Sequence, residues 1–420
     1  MRGTFGRSRP CAAGAAGLVL LAGVAAGCGG GTSGPPTINL YNAPQENIGR
    51  IVARCNRLAG GRYRIALNTL PRDADGQREQ IVRRLAAEDS GLDVLGLDVT
   101  WTAELAEAEW ILPWTGSYER RARQGTLPRT LETATWNGRL YGAPYNSNVQ
   151  LLWYRSDLVP EPPATWDGLV RAAERLAAQR RPHLAEVTGA PYEGIVVWFN
   201  SLVASAGGSI LNPRGDAVAL GAPALRALGV MRAFARSRAA DPSLSSMRED
   251  DARLAMESGR AAFEVNWPYV YASMAAKRPK LLPHFRWAPY PGVTGPGRAP
   301  LGGANFGISR YTEHPGEAFE AALCLRDPQS QLVAAVNDGL PPTIRSVYDH
   351  PSMAKAYPMR QAILDALETA ALRPKTPTYQ NVSTVASNVL SPPAAIDPPR
   401  TEERLRELIS DALQSRGVLP

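Results

Sequence analysis

Between residues 37 and 98 the apolar positions change period four times. Thr37-Ile38-Asn39-Leu40-Tyr41 alternates and predicts a short strand, and Tyr63 to Leu70 predicts a second. Between them, Ile48 to Leu58 has helical spacing, and in Gln77 to Ala87 the residues Ile81, Val82 and Leu85 fall on one helical face. Leu92-Asp93-Val94-Leu95-Gly96-Leu97 is an almost unbroken apolar run that ends at Asp98. That is the pattern of a parallel strand buried on both faces. Strand, helix, strand, helix, strand in this order predicts an α/β fold with right-handed crossovers.

The rest of the chain continues the mixture. Val149 to Tyr154 reads as a strand. Thr165 is placed to cap a helix running to about Gln179. Helical spacing recurs over Ile195 to Ala206, Ala224 to Arg238 and Asp251 to Ser258, and Ala261 to Val265 follows as a strand. Phe285 to Tyr290 leads into a Gly/Pro-rich stretch from Pro291 to Pro300, and Phe306 to Ser309 predicts a further strand. Thereafter helices are expected over Gly316 to Leu325, Gln329 to Asn337, Met353 to Leu372 and Glu402 to Arg416. No internal repeat is visible.

The N-terminus has a different logic. Arg2, Arg7 and Arg9 precede an apolar stretch from Ala12 to Val24, and Ala25-Ala26-Gly27 supplies small residues before Cys28. This is the layout of a secretory signal, residues 1–27. Cys28 after it resembles a bacterial lipobox, with Ala25 where Leu is commoner. The expectation is a lipid-anchored protein on the extracytoplasmic face of the cell membrane, with residues 28–36 as a Gly/Ser/Pro leash. The alternative is an ordinary secreted protein cut nearby. No other apolar run approaches the roughly 20 residues needed to span a bilayer.

About 385 residues beyond the leash favour two lobes over one core. The 46 basic and 39 acidic residues give +7, and three of the basic ones lie in the signal. No basic block is interleaved with aromatics, so nucleic acid is not an expected partner. With Cys11 in the signal and Cys28 lipidated, Cys55 and Cys324 remain in a compartment that permits disulfides, and they are expected to pair. Two buried free thiols are the alternative.

Enzyme motifs are scarce. Gly29-x-Gly31-x-x-Gly34 has a dinucleotide spacing but lies in the leash with no strand before it. There is no P-loop and no GxSxG elbow. His183, His284, His314 and His350 are scattered, without metal spacing. Asp73 and Asp75 suggest a calcium loop, but Arg84 stands where its closing Glu would be. No metal or cofactor is expected.

Polar planar groups and aromatics at strand ends are what remain. Asp98 follows a buried strand, with Trp101 just beyond; Asn146 and Asn148 precede the strand at Val149. Trp267 follows the strand at Ala261, and Gly302-Gly303 would let backbone approach a ligand closely. In open α/β sheets ligands bind beyond the carboxyl ends of strands. Carboxylates and amides grip paired hydroxyls, and an indole face stacks on the C–H face of a sugar ring, so this set suits a carbohydrate. The other tryptophans (Trp110, Trp114, Trp136, Trp153, Trp166, Trp198 and Trp287) read as packing.

Several segments carry a family resemblance. Gly259-Arg260-Ala261-Ala262-Phe263-Glu264-Val265-Asn266-Trp267-Pro268-Tyr269 resembles a segment of the extracellular sugar-binding proteins of ABC importers. So do Leu140-Tyr141-Gly142-Ala143-Pro144 and Leu151 to Leu158, together with Tyr192-Glu193-Gly194, Ser205 to Gly208 and Leu301-Gly302-Gly303. Gln77 to Leu85, Leu97 to Glu104, Val196 to Asn200 and Glu264 to Pro268 are similar to the mycobacterial trehalose-binding lipoproteins. The resemblance implies an α/β, two-lobe periplasmic-binding-protein-like fold with a ligand cleft between lobes joined by hinge strands. Residues 37–148 and 301–348 would form lobe 1, and 149–300 and 349–420 lobe 2.

It further implies ligand positions at Asp98, Asn148, Glu249, Trp267 and Arg373, and also at Glu46, Asp75, Arg78, Asn146, Gly303 and Tyr379. The expected ligand is trehalose, and the expected partners are ABC permease subunits served by a separate ATPase, with a monomeric binding protein. Between Ser273 and Tyr290 the chain is shorter than the mycobacterial pattern. Binding of maltose or another disaccharide is the nearer alternative. A glycoside hydrolase is the farther one, with Asp98 and Glu249 about 5–10 Å apart across a sugar bond.

Overall fold

The computed structural model describes residues 34–416, so the signal and Cys28 lie outside the described residues. Among the described residues there are eleven strands: β1 Thr37–Asn42, β2 Arg64–Thr69, β3 Val94–Asp98, β4 Thr135–Trp136, β5 Arg139–Leu140, β6 Ala143–Val149, β7 Leu151–Arg155, β8 Leu184–Glu186, β9 Ala261–Asn266, β10 Phe285–Ala288 and β11 Leu301–Ile308. They form one sheet in the order β2-β1-β3-β11-β6, a second in the order β10-β7-β9-β8, and the small hairpin β4-β5.

In the first sheet β1, β2 and β3 are parallel, and β11 and β6 follow antiparallel to their neighbours. Alternation splits its side chains between two cores. Ile38, Leu40 and Val94 pack with helices Ile48–Ala59 and Pro315–Leu325. Tyr41, Leu95 and Leu97 pack with Ile81 and Leu85 of helix Ala74–Ala86 and with Trp101. Both faces are covered, which is why the strand at Leu95 carries apolar residues on either side. A disulfide joins Cys55 and Cys324 on the two helices of the first face, as the compartment argument predicts.

The second sheet is wrapped by helices. Trp166, Trp198 and Phe234 meet edge to face or tilted, and Trp153 stacks on Phe285. Helices Glu193–Ser205, Ala222–Arg236, Tyr379–Leu390 and Pro398–Leu413 complete this half. The chain passes between sheets with a single intervening residue, Gln150, from β6 to β7, and returns between β10 and β11. These are two α/β lobes crossed by extended strands.

Several elements depart from the pattern reading. The single strand expected over Val149 to Tyr154 is two strands meeting at Gln150. β11 starts at Leu301 rather than Phe306, since Gly302 and Gly303 pair in the ladder with Asn148 and Ser147. The helix expected over Met353 to Leu372 is two, Pro351–Ala356 and Arg360–Thr369, because Pro358 between them cannot donate to a continuing helix. Helix Tyr379–Leu390 and strand β8 were not expected from the pattern. Among the described residues no helix is long and apolar enough to cross a membrane.

Candidate functional site

The parallel strands β1, β2 and β3 all deliver their carboxyl ends to one edge of the first sheet. Asn148, near the end of β6, reaches the same edge, as its pairing with Gly302 requires. In the second sheet β9 ends at Asn266 opposite Leu151, the first residue of β7. The strand ends of both lobes therefore converge beside the Gln150 crossing, and the loops after them face each other.

Asp98 terminates β3. Its Oδ1 accepts from the backbone N–H (3.0 Å) and hydroxyl (2.8 Å) of Thr100. Arg373, 275 residues away, donates from Nη2 to the same oxygen at 3.3 Å. Arg373 lies in the segment after helix Arg360–Thr369, and its Nη1 donates to Glu193 at 2.6 Å. Burial alone would lower the guanidinium pKa, but Asp98 and Glu193 more than offset this and raise it, so the residue stays cationic. Glu193, the first residue of its helix, also accepts from Tyr379 (2.7 Å) and from the Ser383 hydroxyl. Burial raises the Glu193 carboxyl pKa, and Arg373 works against that rise.

On the second lobe, Glu249 begins helix Glu249–Glu257 and accepts from the Tyr192 hydroxyl. Burial raises its pKa too. Trp267 follows β9, half-buried, with its ring edge against Gly302 of β11. Two polar atoms at this junction are buried without any protein partner: Asn148 Oδ1 and Arg373 Nε. A buried polar atom left without a partner is costly in a folded chain.

The remaining expected residues sort by lobe. Asp75 accepts from Gln380 Nε2 at 3.1 Å, 305 residues away. Arg78 is engaged within lobe 1 by a two-pronged pair with Glu104. Asn146 is buried on β6 beside Pro342. Glu46 is exposed on the loop after β1. Tyr379 is buried and holds Glu193. Gly303 has φ +126°, and a Cβ there would stand 2.2 Å from the Asn146 carbonyl, so its lack of side chain serves strand β6. The open face of Gly302 likewise receives Trp267. Trp101 is core, packed with Leu95 and Leu97.

Sequence reasoning missed Glu193, Tyr192 and Gln380. Glu193 had a signal, the Tyr192-Glu193-Gly194 motif, but a carboxylate at a helix start has an ordinary reading. Two surface depressions, of about 410 Å³ beside Met247 and Arg260 and about 230 Å³ beside Arg345 and His350, include none of these residues.

Residues 65–331 match the family of bacterial extracellular solute-binding proteins, more than half the chain. The chain belongs to that family. A probable ABC transporter-binding protein of Deinococcus radiodurans is 27% identical over 346 residues, 78% of this chain and 80% of that protein. Maltose-bound MalE3 of T. maritima superposes with a TM-score of 0.80 at 27% identity, over 90% of this chain and 99% of that one. The GacH receptor of Streptomyces glaucescens, solved unliganded and with acarbose, has a TM-score of 0.79 at 18% identity, over 91% and 100%.

Members of the family capture solutes for transport rather than transform them, so this chain is a binding protein and not an enzyme. The hydrolase alternative, with Asp98 and Glu249 as a catalytic pair, falls with that assignment. Asp98 is in any case committed to Thr100 and Arg373 through one oxygen.

Proposed function

We propose that this solute-binding protein captures a disaccharide, trehalose in the first instance, and delivers it to an ABC permease powered by a separate ATPase. The observation that carries the reading is the meeting of Asp98, Arg373, Asn148 and Trp267 at the crossing between lobes. It joins a carboxylate, a guanidinium, an unpartnered amide oxygen and an indole. Sugar hydroxyls both donate and accept, so they answer the first three, and a pyranose face answers the fourth. The sugars bound by MalE3 and the GacH receptor support the class of ligand.

Ligand contacts to both lobes shift an open–closed equilibrium by hinge movement at Gln150 and at the return between β10 and β11. Lobe 1 is taken as residues 37–148 and 301–348, and lobe 2 as 149–300 and 349–420. Asp98, Asn148, Asn146, Asp75, Arg78, Glu46 and Gly303 serve from the first, and Glu249, Trp267, Arg373 and Tyr379 from the second. Lipidation at Cys28 would keep the monomer on the extracytoplasmic face, near the permease.

A thermal-shift panel of trehalose, maltose and other disaccharides tests the ligand, since only a bound sugar stabilises the fold by mass action. Stabilisation by trehalose at micromolar concentration is the expected result. A response to maltose alone would reassign the sugar, and no response to any would overturn the class. Labelling with a radioactive fatty acid in a bacterial host, with and without Cys28→Ala, tests the anchor.

A further inference from the structure

We infer that Asn266 is the positioning residue of the lobe-2 wall, holding Trp267 and Glu249 in one fixed relation. It rests on the reading of those two residues as ligand contacts.

Asn266 is the last residue of β9 and is 1% exposed. Its side-chain Oδ1 accepts from the Trp267 backbone N–H at 2.8 Å. Its Nδ2 donates to the Glu249 carbonyl at 2.9 Å and to Glu264 Oε1 at 2.6 Å. Its own carbonyl accepts from the Trp153 indole N–H at 2.9 Å. One amide therefore joins the start of the Trp267 turn to the first residue of helix Glu249–Glu257. Glu264, two residues back on the same strand and 1% exposed, gives that amide a fixed anchor.

Trp267 and Glu249 lie on different elements, and the Asn266 side chain bonds to both. Trp267 opens a turn in which Pro268 contributes no N–H, and Glu249 is the first residue of its helix. A site on such ends needs a supporting shell to keep its contacts within a fraction of an ångström. All three hydrogen bonds of the Asn266 amide go to the two ends and the anchor. Buried in this way, it acts through Trp267 and Glu249.

The test combines ring position with affinity. Protein carrying 5-fluorotryptophan is observed by fluorine NMR without sugar, and the Trp267 resonance is assigned with Trp267→Phe. In Asn266→Ala that resonance is expected to shift or broaden while those of Trp114 and Trp136 in lobe 1 stay put. Calorimetric titration with trehalose, and with maltose, is expected to show affinity lower by on the order of tenfold, the scale of one lost buried hydrogen bond. Glu264→Leu, which removes the anchor and leaves Asn266 in place, is expected to move the same resonance, and Glu264→Gln to restore it through an amide oxygen.

An unmoved Trp267 resonance in Asn266→Ala overturns the inference. If Asn266→Ala does not fold, an unmoved resonance in Glu264→Leu does so. Wild-type protein that binds neither sugar overturns the reading of the cleft, while the sugar-free spectra still judge Asn266.

Discussion

The indole of Trp267 reaches from one lobe to the backbone of Gly302 in the other, so closely that a Cβ built on Gly302 would stand 2.9 Å from Cη2 and 3.0 Å from Cζ3. Those distances leave no room for a methyl group. Gly302 thus sets how deep the ring sits beside the hinge strand. Gly302→Ala is expected to displace the indole toward the cleft and weaken sugar binding by about 1–3 kcal/mol, in the range of overpacking costs. Calorimetry on a variant of native thermal stability measures it. Unchanged affinity would mean that the ring position is not set here.

Removing the ring itself should cost more. Trp267→Ala is expected to lose about 2–4 kcal/mol of binding free energy, as central aromatic contacts do. The far-ultraviolet spectrum should be native, since Trp267 is half-buried and adds little to the core. Titration with the sugar found in the thermal-shift panel gives the number, and undiminished affinity would remove Trp267 from the site.

Arg373 presents a sharper chemical question. It holds Asp98 and Glu193 with two different nitrogens, and Nε is left over. A lysine keeps the charge but offers a single point of donation in place of a planar fork. Arg373→Lys is therefore expected to fold and to lose at least about tenfold in affinity, with Asp98 and Glu193 no longer joined across the lobes. Small-angle scattering of the sugar-free variant should show a larger radius of gyration than wild type. A variant as compact and as tight as wild type would assign Arg373 a passive role.

Much of this was legible in the residue pattern. The opening β1 to β3 unit followed from its changing period, and Asp98 from its place at the end of a buried run. Trp267 stood out by position, after β9 and before Pro268. What the pattern missed has physical causes. Gly302 and Gly303 lack the β-branched signature of a strand, although their backbones pair in β11. Glu193 and Glu264 look like surface carboxylates, and only tertiary packing buries them. The hydrogen bonds of Arg373 to Asp98 and of Gln380 to Asp75 span 275 and 305 residues, a separation that no local periodicity encodes.

The Cys55–Cys324 bridge spans 269 residues and ties helix Ile48–Ala59 to helix Pro315–Leu325 within lobe 1. Closing so long a loop restricts the unfolded chain strongly. Reduction, or Cys55→Ala with Cys324→Ala, is expected to lower stability by about 2–5 kcal/mol. Denaturant titration with and without reductant measures it. Sugar affinity should be unaffected, because neither helix supplies a cleft residue.

Two buried carboxyls on the second sheet make stability depend on pH. Glu186 and Glu264 are direct partners on the parallel strands β8 and β9, both fully buried. Both oxygens of Glu186 and one of Glu264 have no hydrogen-bond partner. Burial, with Asp241 and Glu264 as like charges nearby, pushes the Glu186 carboxyl up to about 8, against a weaker pull from Arg260. Burial likewise pushes Glu264 up to about 8, opposed by Asn266 and Arg253 and reinforced by Glu257. A carboxyl whose pKa is higher folded than unfolded keeps its proton in the native state while the unfolded chain has released it. The native state then binds more protons, so stability falls as pH rises from the ordinary glutamate range to about 8. The slope is up to about 1.4 kcal/mol per pH unit for each such group. Glu186→Gln, which removes one ionisable carboxyl and keeps its shape, is expected to match wild type near pH 5 and to exceed it at pH 8. Thermal unfolding across that interval reads the difference directly, and parallel profiles for the two proteins would show that Glu186 carries no buried proton.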